Sequence, residues 1–339
     1  MTTKANPYHV YVGTYGEELD ASIQILSLDT EARTLKLKAT AKGIKNPSYL
    51  TIDKQQQLLY AVSEVDQGEV VSYLIREDNA YLTEQSYQST YGNGPCYVTM
   101  DETESYLLTV NYGEGTTTVH QLQEDGAIGP LTDQQEYGAG SHPHTIVHLP
   151  YTHKYVVTDL GLDKLYLYRF RNGKLELINS FDTVPKSGPR HVAVAINHRK
   201  LYVVNEFNSK ISVYHYNESI TGLQLVQEIS SLPADFEADN FGADIHIAHK
   251  KSYLYASNRG HHSIAIFKMD KDGTLSLVDY VSTVGDWPRS FALTPDENGM
   301  LIANEHSNSI VLMEIGTNGI PRYSGIEYCI DAPVCVKVK

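Results

Sequence analysis

The residues able to do chemistry are few, and they recur at regular places. Arg190 lies in Gly188-Pro-Arg-His191, Arg289 in Trp287-Pro-Arg-Ser290 and His144 in His142-Pro-His-Thr145. Each segment puts a charged or proton-transferring side chain directly after a proline. Glu206 closes the run Leu201-Tyr-Val-Val-Asn-Glu206, and Arg259 closes Leu254-Tyr-Ala-Ser-Asn-Arg259. An arginine offers a fixed fork of N–H donors to an anion, and histidine and glutamate exchange protons at working pH. Brought together, these groups can hold a small anion and move a proton beside it. His142, His191, Asp244 and Glu305 occupy neighbouring positions of the same pattern and, with Arg289, are candidate binding residues.

Such a set needs elements that carry distant segments to one place. The second residues of the recurring units are 47, 95, 143, 189, 243, 288 and 333, so the intervals are 48, 48, 46, 54, 45 and 45. After each start comes a short apolar run, a polar turn, a second run such as Leu59-Tyr-Ala-Val-Ser-Glu64, and a third such as Ile264-Ala-Ile-Phe267. A fourth, weaker run often closes the unit. Helical periodicity is absent, and 25 tyrosines with many Val and Ile favour strands. Four short antiparallel strands in about 45 residues make a propeller blade.

Six units are complete. The C-terminal Pro333-Val-Cys-Val336 is a first strand with no successor, and the N-terminal Tyr8–Gly13 and Ser22–Leu26 runs are a second and third without a first. Together they supply a seventh blade that closes the ring. The expected fold is all-β, a seven-bladed propeller over residues 1–339 as a single domain. The innermost strand of a blade is its first, so first-strand starts and second-strand ends ring one mouth of the central channel. The starts are Ser48, Cys96, His144, Arg190, Asp244 and Arg289; the ends are Glu64, Asn111, Asp159, Glu206, Arg259 and Glu305. Arg190 and Glu206 each lie eight positions from residue 198, which sets them opposite one another. The turn histidines His153, His198 and His249 fall on the far rim.

Composition narrows the function. With 27 basic and 41 acidic residues the net charge is −14, which repels nucleic-acid phosphates. No apolar stretch is long enough to span a bilayer, and no apolar leader is visible, so a cytoplasmic protein is expected. Cys96, Cys329 and Cys335 form no paired motif. His142 and His144 sit at i and i+2 without a third ligand, so no metal or other cofactor is expected. No heptad or apolar stripe suggests self-association, and a monomer is expected.

At these positions the chain resembles the seven-bladed propeller lactonases, which include the bacterial propeller-type 6-phosphogluconolactonases and the fungal carboxy-cis,cis-muconate lactonizing enzymes. The resemblance rests on His142-Pro-His144, Asp159-Leu-Gly161, Gly188-Pro-Arg-His191, Val204-Asn-Glu206, Ala256-Ser-Asn-Arg259, Trp287-Pro-Arg289 and Pro333-Val-Cys-Val336. It implies a lactone hydrolase with His144, Arg190, Glu206 and Arg259 as catalytic residues and metal-free chemistry. The implied substrate is a small anionic sugar lactone, foremost 6-phosphoglucono-1,5-lactone of the pentose phosphate pathway. Cycloisomerisation of a carboxylated muconate and hydrolysis of another sugar lactone are the alternatives within the fold. A non-catalytic interaction scaffold is the alternative outside it, disfavoured by the absence of Gly-His and Trp-Asp repeat signatures.

Overall fold

The computed structural model describes residues 7–76 and 81–339. Among them are seven four-stranded antiparallel sheets, with a single 3-10 turn at Ile196–His198 as the helical content. Blade four runs Pro189–Ala195, Lys200–Asn205, Lys210–Tyr216 and Leu223–Ser230. The closing blade is built from both chain ends. Pro333–Val338 is innermost and pairs with Tyr8–Thr14, followed by Ile23–Asp29 and Thr34–Ala41. No helix among the described residues is long and apolar enough to cross a membrane.

The core is a ring rather than a centre. Seven buried clusters occur among the described residues, one between each neighbouring pair of blades. Leu201, Val203 and Tyr214 face blade three from blade four, while Tyr202, Val204, Ile211 and Val213 face blade five. Both faces of each sheet are therefore apolar, which explains why the inner strands read as continuous apolar runs instead of alternating ones. Apolar burial stabilises the ring and leaves the axis free for polar groups.

Two local devices shape the mouth. In five blades the residue before the proline adopts a left-handed backbone, with φ between 38° and 63° at Asn46, Gly94, Gly188, Trp287 and Ala332. Its carbonyl accepts the N–H of the residue ending the second strand: Glu64, Tyr112, Glu206, Glu305 and Tyr15 respectively, at 2.7–3.1 Å. Trp287 and Ala332 hold a conformation that costs an L-residue about 1–3 kcal/mol, and this bond compensates part of it. The second device is a β-bulge just after. The register slips by one residue at Cys96, His144, Arg190 and Arg289, and likewise at Ala243–Asp244 and Val334. A bulge leaves the extra residue outside the ladder and redirects its side chain. The chemically capable residues after the prolines are these extra residues.

The register corrects three of the expected mouth positions. Asp244 stands where His191 does, not where Arg190 does, because Gly242 pairs with Asn258 as Pro189 pairs with Asn205. Two second-strand ends also move. Asn111 and Asp159 pair with Pro95 and Pro143, one step short of the place Glu206 holds; Tyr112 and Leu160 are its true equivalents. Asn111, Asp159, Asn205, Asn258 and Asn304 are fully buried. Asn111, Asn258 and Asn304 donate to the carbonyls of Thr90, Ser231 and Thr283, each just past the outer strand of the preceding blade, at 2.9, 2.7 and 3.1 Å. They tie blade to blade and are not part of the mouth.

Candidate active site

Blade four supplies Arg190 from its bulge and Glu206 from the end of its second strand. Blade five supplies Arg259 from the end of Tyr253–Arg259. Arg190 Nε lies 3.0 Å and Arg259 Nη2 2.9 Å from the same oxygen, Oε2 of Glu206. The contact with Arg190 is an ion pair without a well-directed hydrogen bond, because its Nε–H is not aimed at that oxygen. Backbone carbonyls fix both guanidinium groups: Arg190 Nη1 donates to Ala243 O at 2.5 Å, and Arg259 Nη2 to Gly242 O at 3.1 Å. Arg259 also faces the Trp287 ring at 5.6 Å and the Phe241 ring at 6.0 Å. Both arginines are at most 4% exposed, yet each keeps further N–H donors unused.

Electrostatics follow from this crowding. Burial by itself would raise the Glu206 carboxyl, but Arg259 and Arg190 outweigh it and hold the group below the usual carboxylate range. Burial, with Arg190 beside it, pulls Arg259 down to about 9. A guanidinium this well paired stays charged at neutral pH.

His144 reaches the same region from blade three and is buried. Burial, and then the charges of Arg190, Arg289 and Arg259, hold its imidazole well below the usual histidine range, so it is neutral. No side-chain hydrogen bond engages it among the described residues, and of its two nitrogens only Nδ1 is shut off from solvent. Its ring stands edge-on to Tyr112 at 5.9 Å and to His191 at 5.1 Å.

Blade six contributes Arg289, which donates to Tyr15 Oη at 2.6 Å and lies 5.1 Å from that ring. Tyr15 Oη is in turn 3.2 Å from both carboxylate oxygens of Glu64. Burial works against the charge on Arg289, but Tyr15, Glu64 and Glu305 outweigh it and raise its pKa. Tyr15 occupies the closing-blade place equivalent to Glu206, and the sequence reading missed it because that blade is split between the termini. Aligning the N-terminal Gly13-Thr-Tyr15 on Val204-Asn-Glu206 would have found it.

The remaining candidates separate from this cluster. His191 and Asp244 face each other deeper in the channel: His191 Nδ1 is 2.8 Å from Asp244 Oδ1, and His246 Nε2 is 3.2 Å from Asp244 Oδ2. Asp244 also accepts from the Ser290 hydroxyl and the Phe291 N–H, both at 3.2 Å. Burial would raise this carboxyl; His246 and His191 hold it well below the usual range instead. Below lies a cavity of about 230 Å³ lined by Tyr49, Tyr97, His191, Asp244, His246 and the rim residue His249. His142 stacks on Tyr112 at 4.6 Å and bonds that residue's carbonyl through Nδ1, on the outer side of the mouth. Glu305 comes within electrostatic reach of Arg289 but joins neither Arg190 nor Arg259. No group of three or more His, Cys, Asp or Glu among the described residues is arranged to hold a metal ion.

A closed ring that buries two arginines on one carboxylate beside a neutral histidine, all at one end of its channel, is an enzyme built on a propeller. The chain belongs to the seven-bladed β-propeller lactonase family, whose profile matches residues 9–338. It is 34% identical to the 6-phosphogluconolactonase of Bacillus subtilis (strain 168), over 97% of this chain and 98% of that protein. Its fold superposes on a Pseudomonas aeruginosa periplasmic gluconolactonase with a TM-score of 0.92 at 25% identity, covering 98% of this chain and 99% of that one. A Lactobacillus plantarum protein matches with the same TM-score at 28% identity, over 98% and 99%. The protein is a lactone hydrolase.

Proposed function

We propose that the mouth hydrolyses a six-membered sugar lactone, foremost 6-phosphoglucono-1,5-lactone, to the open acid in the cytoplasm. The observation that carries this is the convergence of Arg190 and Arg259 on Glu206 beside an unprotonated His144. The Bacillus subtilis relative supports the phosphorylated substrate, and three free cysteines fit a reducing compartment.

His144 takes a proton from water as the water oxygen bonds to the lactone carbonyl carbon. The carbonyl electrons move onto oxygen, and the unused N–H groups of Arg259 and Arg190 receive that charge. Collapse breaks the bond from the carbonyl carbon to the ring oxygen, which takes the proton back from His144. Glu206, held ionised and doubly paired, positions the arginines rather than acting as base. Arg289 keeps N–H groups beyond the one given to Tyr15, and we assign the phosphate to it.

A second reading has its own observation. Arg190, Arg259 and Arg289 are matched by Glu206, Glu64 and Glu305, so the mouth carries little net charge and also suits an uncharged gluconolactone. The test uses freshly generated 6-phosphogluconolactone with coupled oxidation of its product, in parallel with gluconolactone. Clearance above the spontaneous rate, lost in Arg259→Ala, is expected. Equal clearance by wild type and that variant would refute the arginine's role.

A further inference from the structure

Blade four is longer than the others. From Pro189 to the equivalent Gly242 is 53 residues, against 45–48 for the rest. The extra length falls in residues 231–240, between Leu223–Ser230 and Phe241–Ala248, on the mouth side of the ring. Both ends of this segment are anchored. Ser231 Oγ donates to Asn258 Oδ1 at 2.7 Å, Asn240 Nδ2 to Ser209 Oγ at 2.9 Å, and the His261 N–H to Asn240 Oδ1 at 3.0 Å. In its middle Phe236 packs edge-on against His261, with ring centres 4.8 Å apart.

The segment walls a cavity of about 420 Å³, lined by Phe207, Phe241, Leu232, Asn208 and Asp239 among others. It adjoins the reaction site on two sides. Phe207 follows Glu206 in the chain, and Phe241 is the ring that Arg259 faces. Phe207 is 50% exposed although large and apolar. Its seat depends on a glycine: a β-carbon on Gly188, itself at φ 63°, would stand 2.6 Å from Phe207 Cδ2. With the partly exposed Phe241 and Leu232, this ring forms a continuous apolar part of the cavity lining.

We propose that this cavity is a sugar subsite, which takes a hexosyl ring carried by the lactone and so makes aldobionolactones substrates. The proposal rests on the mouth being the lactone site. A pyranose has apolar C–H faces and a polar girdle of hydroxyls. Phe207, Phe241 and Leu232 offer apolar area to the faces, while Asn208 and the exposed Asp239 offer an amide and a carboxylate to the girdle. Asp239 repels a phosphate, so the cavity is not a second anion anchor.

The experiment compares kcat/KM for gluconolactone, lactobionolactone (1,4-linked) and melibionolactone (1,6-linked), each above its spontaneous rate, in wild type, Phe207→Ala and Asp239→Asn. Thermal unfolding midpoints verify folding. At least one disaccharide lactone should match or exceed gluconolactone. Phe207→Ala should lower kcat/KM for that lactone about tenfold, while changing gluconolactone less than about twofold. Asp239→Asn should lower the same lactone by a smaller factor. Spontaneous-rate hydrolysis of both disaccharide lactones beside accelerated gluconolactone or 6-phosphogluconolactone would overturn the subsite and leave the lactonase reading standing. So would an equal loss on all lactones in Phe207→Ala. If no lactone of any kind were accelerated, the lactonase reading would fail and the subsite with it.

Discussion

Arg190 and Arg259, which come from different blades and are 69 positions apart in sequence, meet at one oxygen of Glu206, at 3.0 and 2.9 Å. Two buried cations on one carboxylate oxygen hold each other in place only while the carboxylate is charged. Neutralising Glu206 leaves Arg190, Arg259 and Arg289 close together in a desolvated mouth. We expect Glu206→Gln to lower kcat/KM on the order of 10²-fold, and to destabilise the fold by about 3 kcal/mol because it breaks a largely buried network. Arg259→Ala should cost about 10²–10³-fold in kcat with a smaller loss of stability, since it removes the proposed oxyanion donor but leaves Glu206 one partner. Steady-state kinetics and denaturant titration of both variants check this. A larger kinetic loss in Glu206→Gln than in Arg259→Ala would assign the base role to Glu206 instead of His144.

The pH dependence follows from the base role proposed for His144. A general base works unprotonated, so activity is lost as pH falls through its pKa. Burial and the three arginines hold that pKa well below 6.5, and Glu206 also stays ionised to below its ordinary range. The enzymatic kcat/KM should therefore be flat from about pH 8 down through 6.5. An acid limb centred at 6.5 would show that His144 is not the base or is not desolvated in solution.

Tyr15 joins Arg289 to Glu64. In Tyr15→Phe the ring stays and the hydroxyl goes, leaving a half-buried charge pair without its bridge. We expect a stability loss of about 1.5–3 kcal/mol. KM for the phosphorylated lactone should rise more than KM for gluconolactone, because Arg289 is no longer oriented. Equal KM changes for the two lactones would separate Arg289 from the phosphate.

Stability should fall between pH 7 and pH 5. His120 is fully buried, with no well-formed hydrogen bond to either ring nitrogen, and burial pushes its pKa down to about 4. His191 is pulled to about 4 by burial and Arg190, against the opposing pull of Asp244. Below about 6.5 the unfolded chain binds protons that the folded chain refuses, so stability is lost as pH falls, by about 2 kcal/mol for each histidine at pH 5. Asp244, with its depressed pKa, contributes stability present above the ordinary aspartate range, and this is undiminished over the same window. Replacing His120 with Leu should remove its share of the slope in thermal melts at pH 7 and 5; an unchanged slope would mean that His120 titrates normally.

The blade count and the ring closure were legible in the sequence. A propeller repeats one apolar pattern seven times, and Pro333-Val-Cys-Val336 visibly lacks the strands that Tyr8–Gly13 and Ser22–Leu26 supply. That Arg190 and Glu206 come together at the open end of one hairpin was legible too, from the turn position, although the register pairs Pro189 with Asn205 and it is the bulge that carries Arg190 to Glu206. Other features were decided by contacts between blades, which no single repeat encodes. One-residue register separates Glu206 from the fully buried position of Asn205, and it placed Asn111 and Asp159 at that buried position. The choice between mouth and channel interior for His191 and Asp244 depended on the bulge and on Ser290 and Phe291 arriving from blade six. Tyr15 became part of the site only when the two chain ends met in one sheet. Periodicity is a property of each strand and survives in the linear chain. Which charges share a desolvated space is a property of how seven sheets pack around an axis, and the tertiary structure alone determines it.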